Sequence, residues 1–200
     1  TVEIVKQNEA LRYRSQQLLT VSDVAREIVS AQELSSLLEE IVSLISERFR
    51  FYHVGIFLLD DRKEFAILRA ANSVGGKRML ARGHKLKVGE VGIVGYATGT
   101  GTPRIATDVG QDATYFNNPD LPQTRSEMAL PLKVGDEIIG ALDVQSTESN
   151  AFTEEDINLF TTLADQVAIA ILNNRLFTET AKALEEAQNL HRQYLNQEWQ

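Results

Sequence analysis

Hydrophobic residues recur at helical spacing near both ends of the chain and at strand-like spacing between them. In the N-terminal part, apolar residues stand at every seventh position from Ile4 to Ala25, which predicts a helix with one imperfect apolar seam. A second helix is predicted after Gln32, because the apolar residues between Leu34 and Ile45 make one broad face suited to covering a sheet.

The C-terminal part of the chain is predicted to be one long helix. It contains neither glycine nor proline from Thr153 onward, and a seven-residue repeat that starts at Phe160 extends over five heptads. Thr153 and Asp156 resemble the two halves of a capping box, which places the start of the helix near residue 153. Such a helix is roughly 70 Å long at about 1.5 Å per residue, so we expect its distal half to need a partner, most simply a second copy of the chain.

Four β-like runs form two predicted hairpins between these helices. Residues 53–60 and 64–71 are joined by a charged turn, and residues 125–134 and 137–146 flank a two-residue turn in which Gly135 can take a positive φ. Pro131 cannot donate a hydrogen bond to a neighbouring strand, so its strand is expected at an edge of the sheet or bulged at that residue.

The segment between the hairpins, residues 72–124, is rich in Gly, Asn, Asp, Thr and Pro and carries shorter strand candidates in the stretches HKLKV and PRIAT. Long irregular segments inside compact domains usually serve as lids or binding loops. A functional site is therefore expected here.

Composition narrows the classes of function. The formal net charge of -8 argues against nucleic acid or an anionic membrane as partner, because both are bound through clustered Lys and Arg. The chain has no cysteine, which excludes disulfides, thiolate metal sites and cysteine nucleophiles. No apolar run approaches the roughly 20 residues of a membrane helix, and the first residues do not resemble a signal peptide, so a cytoplasmic location is expected.

The stretch VGEVGIVGYATGTG, residues 88–101, raises the question of a phosphate-binding loop. It lacks the Lys-Ser/Thr pair of a Walker loop and the spacing of a dinucleotide fingerprint. Gly89, Gly92 and Gly95 instead stand at every third position, which favours a short helix whose glycine side lets another part of the backbone approach closely.

Other candidate chemistry is weaker. His53, His84 and His191 are isolated, and Arg125-Ser126-Glu127 lacks a histidine placed to complete a triad, so a hydrogen-bonded corner is the preferred interpretation of that tripeptide. The remaining acidic candidates lack the spacing of a calcium loop and are interpreted as solvated turn residues; they are Asp108, Asp112 and Asp120.

Three aromatic residues lie within the polar segment, namely Tyr96, Tyr115 and Phe116. They suit the wall of a pocket for a flat ligand, and the alternative is that they fill the core beneath the loops.

Taken together, the order of elements and four stretches resemble a GAF domain over about residues 22–175. The stretches are VGIFLLDD, GIVGYATGTGTPRIATDV, RSEMALPLKVGDEIIGALDVQS and AFTEEDINLFTTLADQVAIAI. The resemblance implies an α+β fold with an antiparallel sheet of five or six strands, the terminal helices on one face and a loop-covered pocket on the other. Residues 1–21 and 176–200 resemble the helical linkers that join such modules to other signalling modules.

The resemblance also implies a regulatory role. Members of the family bind small molecules such as cyclic nucleotides, bilins or haem, or simply dimerise. Cyclic-nucleotide members carry Asn-Lys where Gln145-Ser146 stand here, followed by a Phe-x-x-x-Asp-Glu motif of which Phe152 and Asp156 match while Ile157 replaces the Glu. Bilin-type and methionine sulfoxide reductase members use a cysteine, which this chain lacks. The sequence therefore assigns no cofactor, and its identity is unknown at this point.

The resemblance implies that the stretch GIVGYATGTG is the helix that borders the family's ligand pocket, and that residues of the surrounding loops form the rim of that pocket. The ligand-binding residues implied are Tyr96, Asp108, Tyr115, Phe116, Arg125 and Glu127.

The expected function is a non-enzymatic sensory module of a multidomain signalling protein such as a histidine kinase. It would dimerise through the C-terminal helix and act on a covalently linked output domain. The alternative is a dimerisation and spacer module without a ligand, and a third hypothesis, an enzyme of the sulfoxide reductase type, is disfavoured by the composition.

Overall fold

Four helices and a six-stranded sheet make up the part of the chain that the structure, a computed structural model, describes, which is residues 33–110 and 117–198. The helices are α1 (Leu34–Phe49), α2 (Val74–Ala81), α3 (Gly92–Thr100) and α4 (Glu154–Glu198). The strands are β1 (His53–Leu59), β2 (Phe65–Ala71), β3 (Lys85–Lys87), β4 (Arg104–Ala106), β5 (Ser126–Val134) and β6 (Glu137–Ser146). The helix predicted from the repeat at residues 4–25 lies outside the described residues.

The two predicted hairpins form the centre of the sheet. The strand order is β3-β2-β1-β6-β5-β4, and all neighbouring strands are antiparallel. The hairpins join through β1 and β6, whose pairing extends from His53 opposite Gln145 to Leu58 opposite Gly140. The predicted α+β fold with five or six antiparallel strands is thereby confirmed, and the short candidates HKLKV and PRIAT contain the edge strands β3 and β4.

One face of the sheet is covered by α1 and the first half of α4. Because side chains alternate across a strand, every second residue of the central strands points into this apolar core. Its fully buried members include Ile41, Ile56, Met128, Leu142 and Leu163.

The opposite face is covered by α2, α3 and the segment around Leu121. A second, smaller apolar cluster lies there, with Phe57, Met79, Ile93 and Ala141 among its buried members. The two inner helices therefore stand where the resemblance implies a pocket under loops.

Local turn chemistry follows the sequence closely. Gly135 has φ of 61° between β5 and β6, as the two-residue turn requires. β4 pairs with β5 only from Glu127 to Ala129, so at Pro131 the strand has β6 as its single neighbour. β5 lies between β6 and β4, so the prediction of an edge strand is wrong for the strand as a whole, although Pro131 itself lies beyond the residues that pair with β4.

The long C-terminal helix begins with a reciprocal capping box. The backbone N–H of Asp156 donates to Oγ1 of Thr153 at 3.3 Å, and the backbone N–H of Thr153 donates to Oδ2 of Asp156 at 2.8 Å. Along the heptad repeat, residues from Phe160 to Asn174 are mostly buried against the domain, whereas Phe177 is 69% exposed and Leu184 is 59% exposed. From Phe177 to Leu184, the heptad positions of α4 are therefore exposed and are not covered by the domain.

The predicted division into residues 1–21, 22–175 and 176–200 stays a prediction. Among the described residues, no helix combines the length and the apolar character that crossing a bilayer needs.

Shortening a core side chain of α4 tests the packing of this helix on the sheet. Leu163 is fully buried, so Leu163→Ala is expected to lower the free energy of unfolding by about 2 to 5 kcal/mol, as measured by urea denaturation. Val74 is 74% exposed, so the control variant Val74→Ala should leave the free energy of unfolding nearly unchanged. Equal stability of the two variants would contradict the packing of α4 on the sheet.

Candidate functional site

The glycine-rich stretch forms the turn before α3 and α3 itself. A Cβ at Gly95 would lie 2.7 Å from the carbonyl oxygen of Lys87, and a Cβ at Gly99 would lie 2.6 Å from Cα of Gly89. Gly92, at the start of the helix, has φ of 67°. The predicted short helix is confirmed, but Gly89 lies in the turn before it, and the close backbone approach to that turn is made at Gly95 and Gly99.

A small cavity lies between the sheet and the two inner helices. Its volume is about 20 Å³, which is room for about one water-sized group. The apolar part of its wall includes Phe57, Met79, Leu86, Ile93 and Leu121. The polar part consists of His84, Asn118, Glu127, Asp143 and Gln145.

The register of the central strands brings the polar side chains together. Gln145 stands opposite Glu127 on β5 and opposite His53 on β1, and Asp143 lies two residues before it on the same face of β6. Val144, between them, points into the other core. We call His53, Glu127, Asp143 and Gln145 the polar cluster; each is less than 9% exposed.

Hydrogen bonds fix the orientation of the Gln145 amide within this cluster. Thr124 Oγ1 donates to Gln145 Oε1 at 2.6 Å, and Gln145 Nε2 donates to Asp143 Oδ2 at 2.7 Å. The other carboxylate oxygen of Asp143, Oδ1, is buried and has no hydrogen-bond partner among the described residues. The hydrogen bonds within the cluster therefore satisfy only one of the two carboxylate oxygens of Asp143.

Asp143 is poised to hold a proton at neutral to mildly acidic pH. Burial raises its pKa from 3.8 to about 6, while hydrogen bonding with Glu127 and Gln145 acts in the opposite direction. The carboxyl groups of Glu127 and Asp143 are close enough for the charge of one to affect the titration of the other.

His53 is fully buried behind Asp143. Its Nδ1 lies 2.7 Å from Ser73 Oγ, and its Nε2 lies 3.9 Å from Asp143 Oδ2. Burial, followed by the nearby His84, lowers the pKa of His53 to about 4, so its ring is neutral at pH 7. Ser73 Oγ also accepts the backbone N–H of Gly76 and so caps the N-terminus of α2. His53 and Ser73 therefore stabilise the start of α2 and do not form an accessible nucleophile.

The segment that follows residue 116 is tied to α2 beside the cavity. Arg78 Nε donates to Asp120 Oδ1 at 3.0 Å, and Arg82 makes a second ion pair with the same carboxylate. Asn118 Nδ2 contacts Sδ of Met79 at 2.7 Å. The interpretation of Asp120 as a solvated turn residue is wrong, because its side chain is only 14% exposed and holds two arginines.

The family model described as GAF domain matches residues 31–172. The chain belongs to the GAF domain family. The match covers most of the chain, including all six strands, both inner helices and the cavity.

Individual relatives of this GAF domain are distant. It is 23% identical over 188 residues to the Nif-specific regulatory protein of Herbaspirillum seropedicae, covering 90% of this chain but 33% of that protein. The chain therefore spans about a third of the length of this curated relative.

Solved structures with the same fold include a GAF domain of a phosphotransferase and a sulfoxide reductase. The GAF domain of a phosphoenolpyruvate-protein phosphotransferase from Coxiella burnetii has a TM-score of 0.73 at 23% identity, with 82% of this chain and 98% of that chain covered. The free methionine-R-sulfoxide reductase from Neisseria meningitidis has a TM-score of 0.68 at 21% identity, with 78% and 89% covered. At these identities the similarity establishes the fold, which serves both kinds of protein.

Within the GAF domain, the structure separates the residues predicted for the ligand site. Glu127 lines the cavity. Tyr96 is half-buried and does not line the cavity, and the guanidinium carbon of Arg104 lies 5.0 Å from the centre of its ring. Arg125 is exposed and donates to Ser149 Oγ at 2.8 Å, and Asp108 Oδ1 accepts the N–H of Gly110 at 3.2 Å. Tyr115 and Phe116 lie outside the described residues.

Two smaller predictions have clear outcomes. Ser126 Oγ donates to the carbonyl oxygen of Glu148 at 2.7 Å, which confirms a structural corner at that tripeptide. Asp156 serves in the capping box of α4, the role predicted from its spacing to Thr153.

Sequence reasoning missed most of the cavity. Asp143, Asn118 and His53 were not recognised as members of a site, and Gln145 was considered only as a departure from the cyclic-nucleotide motif. The available signal was the charged Asp143 within the apolar run IIGALDV of this strand, a position that becomes buried when both faces of the sheet are covered.

Replacing the buried carboxylate tests the electrostatics of the cavity. A raised pKa means that the ionised Asp143 opposes folding, an effect that grows as pH rises through about 6 and is absent well below the unfolded value of 3.8. Asp143→Asn is therefore expected to be more stable than the wild type by at most about 3 kcal/mol at pH 7.5, with the gap narrowing toward pH 4.5. Urea denaturation at both pH values measures it.

The exposed Asp136, in the turn between β5 and β6, provides the control for net charge. Asp136→Asn should change stability little at either pH. The lowered pKa of His53 makes the wild type less stable in acid, but this effect is present in both proteins and cancels in the comparison. A less stable Asp143→Asn at pH 7.5 would show that the carboxylate is fully compensated in the folded protein.

Proposed function

We propose that this GAF domain is the regulatory module of a larger signalling protein and that it binds a small polar molecule in the cavity beneath α3. The observation that carries this proposal is the polar cluster, a set of ionisable and amide groups buried in the face of a sheet. Asp143 Oδ1 and His53 Nε2 both lack a hydrogen-bond partner. Such groups cost stability, and a binding role gives a reason to retain them.

The cavity must enlarge to admit anything beyond a single small group. About 20 Å³ is far too small for a nucleotide, a bilin or haem in this conformation. The contacts of Asp120 with Arg78 and Arg82 hold the neighbouring segment against α2, so release of these exposed arginines is the simplest way to open it. A ligand in the opened cavity contacts Glu127 directly.

The other predicted residues are proposed as an outer rim. Tyr96, Asp108 and Arg125 lie outside the described lining of the closed cavity, and they contact only those parts of a ligand that extend beyond it. Tyr115 and Phe116 stay part of this proposal on the strength of the family resemblance alone.

Signal transfer follows from the alternation of side chains along β5 and β6. Glu127 and Asp143 point toward the cavity, while their neighbours Met128 and Val144 point into the core that α4 covers. A ligand that displaces the two carboxyl groups shifts the same strands against α4. The helix continues past the domain and carries the change in its position to an output domain.

The similarity to a third of a Nif-specific regulatory protein supports a linked output domain, and a histidine kinase is a second candidate for that output. We place the module in the cytoplasm and assign it no catalytic activity. Although a sulfoxide reductase has the same fold, this chain has no cysteine to give electrons to a sulfoxide, and its buried His53 and Ser73 are occupied in bracing α2.

The second candidate function is a dimerisation and spacer module without a ligand. The small volume of the cavity favours it, since a pocket closed by its own side chains needs no ligand to be stable.

A thermal-denaturation screen separates these two functions. The compounds are nucleotides, haem, tetrapyrroles, small acids and small amines, and a ligand present at about a hundred times its Kd adds about 2.7 kcal/mol to stability. We expect at least one compound to raise Tm in the wild type and in Asp136→Asn but not in Gln145→Met, which keeps the volume and loses both amide hydrogen bonds. No shift with any compound would favour the spacer.

Light scattering tests the proposed homodimer along α4. The full chain is expected to be dimeric, and a chain ending at residue 175 is expected to dissociate more readily. The matched variant Phe177→Glu/Leu184→Glu should do the same without loss of folding, because both side chains are more than half exposed. A full chain that is monomeric at all concentrations would contradict dimerisation.

A further inference from the structure

Two consecutive residues between β2 and α2 connect the two faces of the sheet. The side chain of Asn72 bonds to β1 and to α1, whereas the side chain of Ser73 bonds to α2 and to the ring of His53. Both side chains are partly buried, and each makes two hydrogen bonds. α1 and α2 cover opposite faces of the sheet, so this pair of residues links two separate layers.

Asn72 fastens the end of α1 to the start of β1. Its Oδ1 accepts the backbone N–H of Val54 at 2.6 Å, and its Nδ2 donates to Oγ of Ser46 on α1 at 2.6 Å. Ser46 Oγ in turn donates to the carbonyl oxygen of Phe51, between α1 and β1, at 3.2 Å. A movement of Asn72 therefore acts on the last part of α1 through two short hydrogen bonds.

Ser73 fastens the start of α2 to the cavity side of β1. Its Oγ accepts the backbone N–H of Gly76 at 2.9 Å and lies 2.7 Å from Nδ1 of His53. No side chain separates α2 from the sheet at this point, because a Cβ at Gly76 would lie 2.5 Å from Cβ of Ala71 and 2.9 Å from Cε1 of His53. Groups packed this closely transmit a displacement instead of absorbing it, so α2 cannot move without Ser73.

The opposite side of α2 borders the cavity. Met79 lines the cavity, and Gly75 packs on the backbone of Asp120, where a Cβ would lie 2.0 Å from the carbonyl oxygen. The ion pairs of Asp120 with Arg78 and Arg82 add to this contact. Opening the cavity along the segment around Asp120 therefore changes the support of α2.

We propose that Asn72 and Ser73 couple α2 to α1, so that a displacement of α2 at the cavity changes the position of α1. This inference rests on the proposed function, because it adds a second route from the same cavity beside the one through β5, β6 and α4. Neither residue belongs to the described lining of the cavity, so both are positioning residues. The cavity thereby acts on both helices that cover the other face of the sheet.

Substitutions on the cavity side of α2 supply the displacement without a ligand. Gly75→Ala places a methyl group against the backbone of Asp120, which forces α2 and that segment apart. Asp120→Asn is a milder change that weakens the pairs with Arg78 and Arg82, and it replaces Gly75→Ala if that variant does not fold. Val74→Ala, on the exposed side of α2, is the control.

Backbone amide NMR of α1 measures the coupling. Both cavity-side variants are expected to shift the amide resonances of residues 45–49, in the last turns of α1, and Val74→Ala should not. In a Ser46→Ala background these shifts are expected to fall at least about twofold, because α1 has lost its bond to Asn72. Ser43→Ala changes an exposed serine of the same helix and should leave the shifts as large as in the wild type.

Coupling acts in both directions, which provides a second readout. Ser46→Ala is expected to shift the imidazole resonances of His53 through Asn72 and Ser73, whereas Ser43→Ala should not. Shifts at residues 45–49 that persist at full size in Ser46→Ala would overturn the inference. So would cavity-side variants that shift residues 76–81 of α2 and leave α1 unchanged.

The coupling and the proposed function fail in different experiments. The NMR comparison uses no ligand, so an unchanged α1 overturns the coupling, and the thermal screen still decides whether the cavity binds a small molecule. A screen without any hit would contradict ligand binding while the link between α2 and α1 stays measurable.

Discussion

The pairing of β1 with β6 is the contact on which the rest of the domain depends. Each strand belongs to a hairpin that its own turn chemistry specifies, but a hairpin alone buries too little apolar surface to be stable. Joining the two hairpins creates a sheet whose central strands are covered on both faces, by α1 and α4 on one side and α2 and α3 on the other. The same pairing sets His53 opposite Gln145 and thereby assembles the polar cluster.

Because the central strands are buried on both faces, their alternation separates two environments. One face is uniformly apolar and anchors α4, whereas the other contains two carboxyl groups, an amide and an imidazole beside a small cavity. The free energy gained in the first core offsets the cost of burying the ionisable groups in the second. Neighbouring residues of one strand, Asp143 and Val144, thus link the chemistry of the cavity to the packing of the long helix.

Much of the fold follows from local signals in the sequence. The turn at Gly135, the limited pairing at Pro131 and the capping box of Thr153 each depend on a few adjacent residues, and all were predictable. The spacing of hydrophobic residues likewise indicated the helices α1 and α4, because an apolar face at helical spacing is stable only when it packs against another apolar surface.

The cavity was much less predictable, because it depends on contacts between distant segments. Asp143 is charged, and only the cover of α2 and α3 over that face of β6 makes it a buried group. The sequence around Asp120 predicts only a polar loop residue, because its ion pairs with Arg78 and Arg82 form only when the fold brings these distant segments together. Tyr96, an aromatic residue on the glycine-rich helix, lies against Arg104 instead of the described cavity wall, because the glycine side of α3 faces the turn before it.

Direct titration of the carboxyl carbons by NMR tests the central claim, that the sheet buries the carboxyl group of Asp143 and thereby raises its pKa. With uniformly labelled protein, the side-chain carboxyl resonances of Asp143 and Glu127 are followed as pH is varied. We predict that Asp143 titrates near 6, well above its ordinary value of 3.8, and that the Glu127 resonance responds in the same step. Titration of Asp143 at or below 3.8 would show that the folded protein fully compensates this carboxylate and would contradict the proposed site.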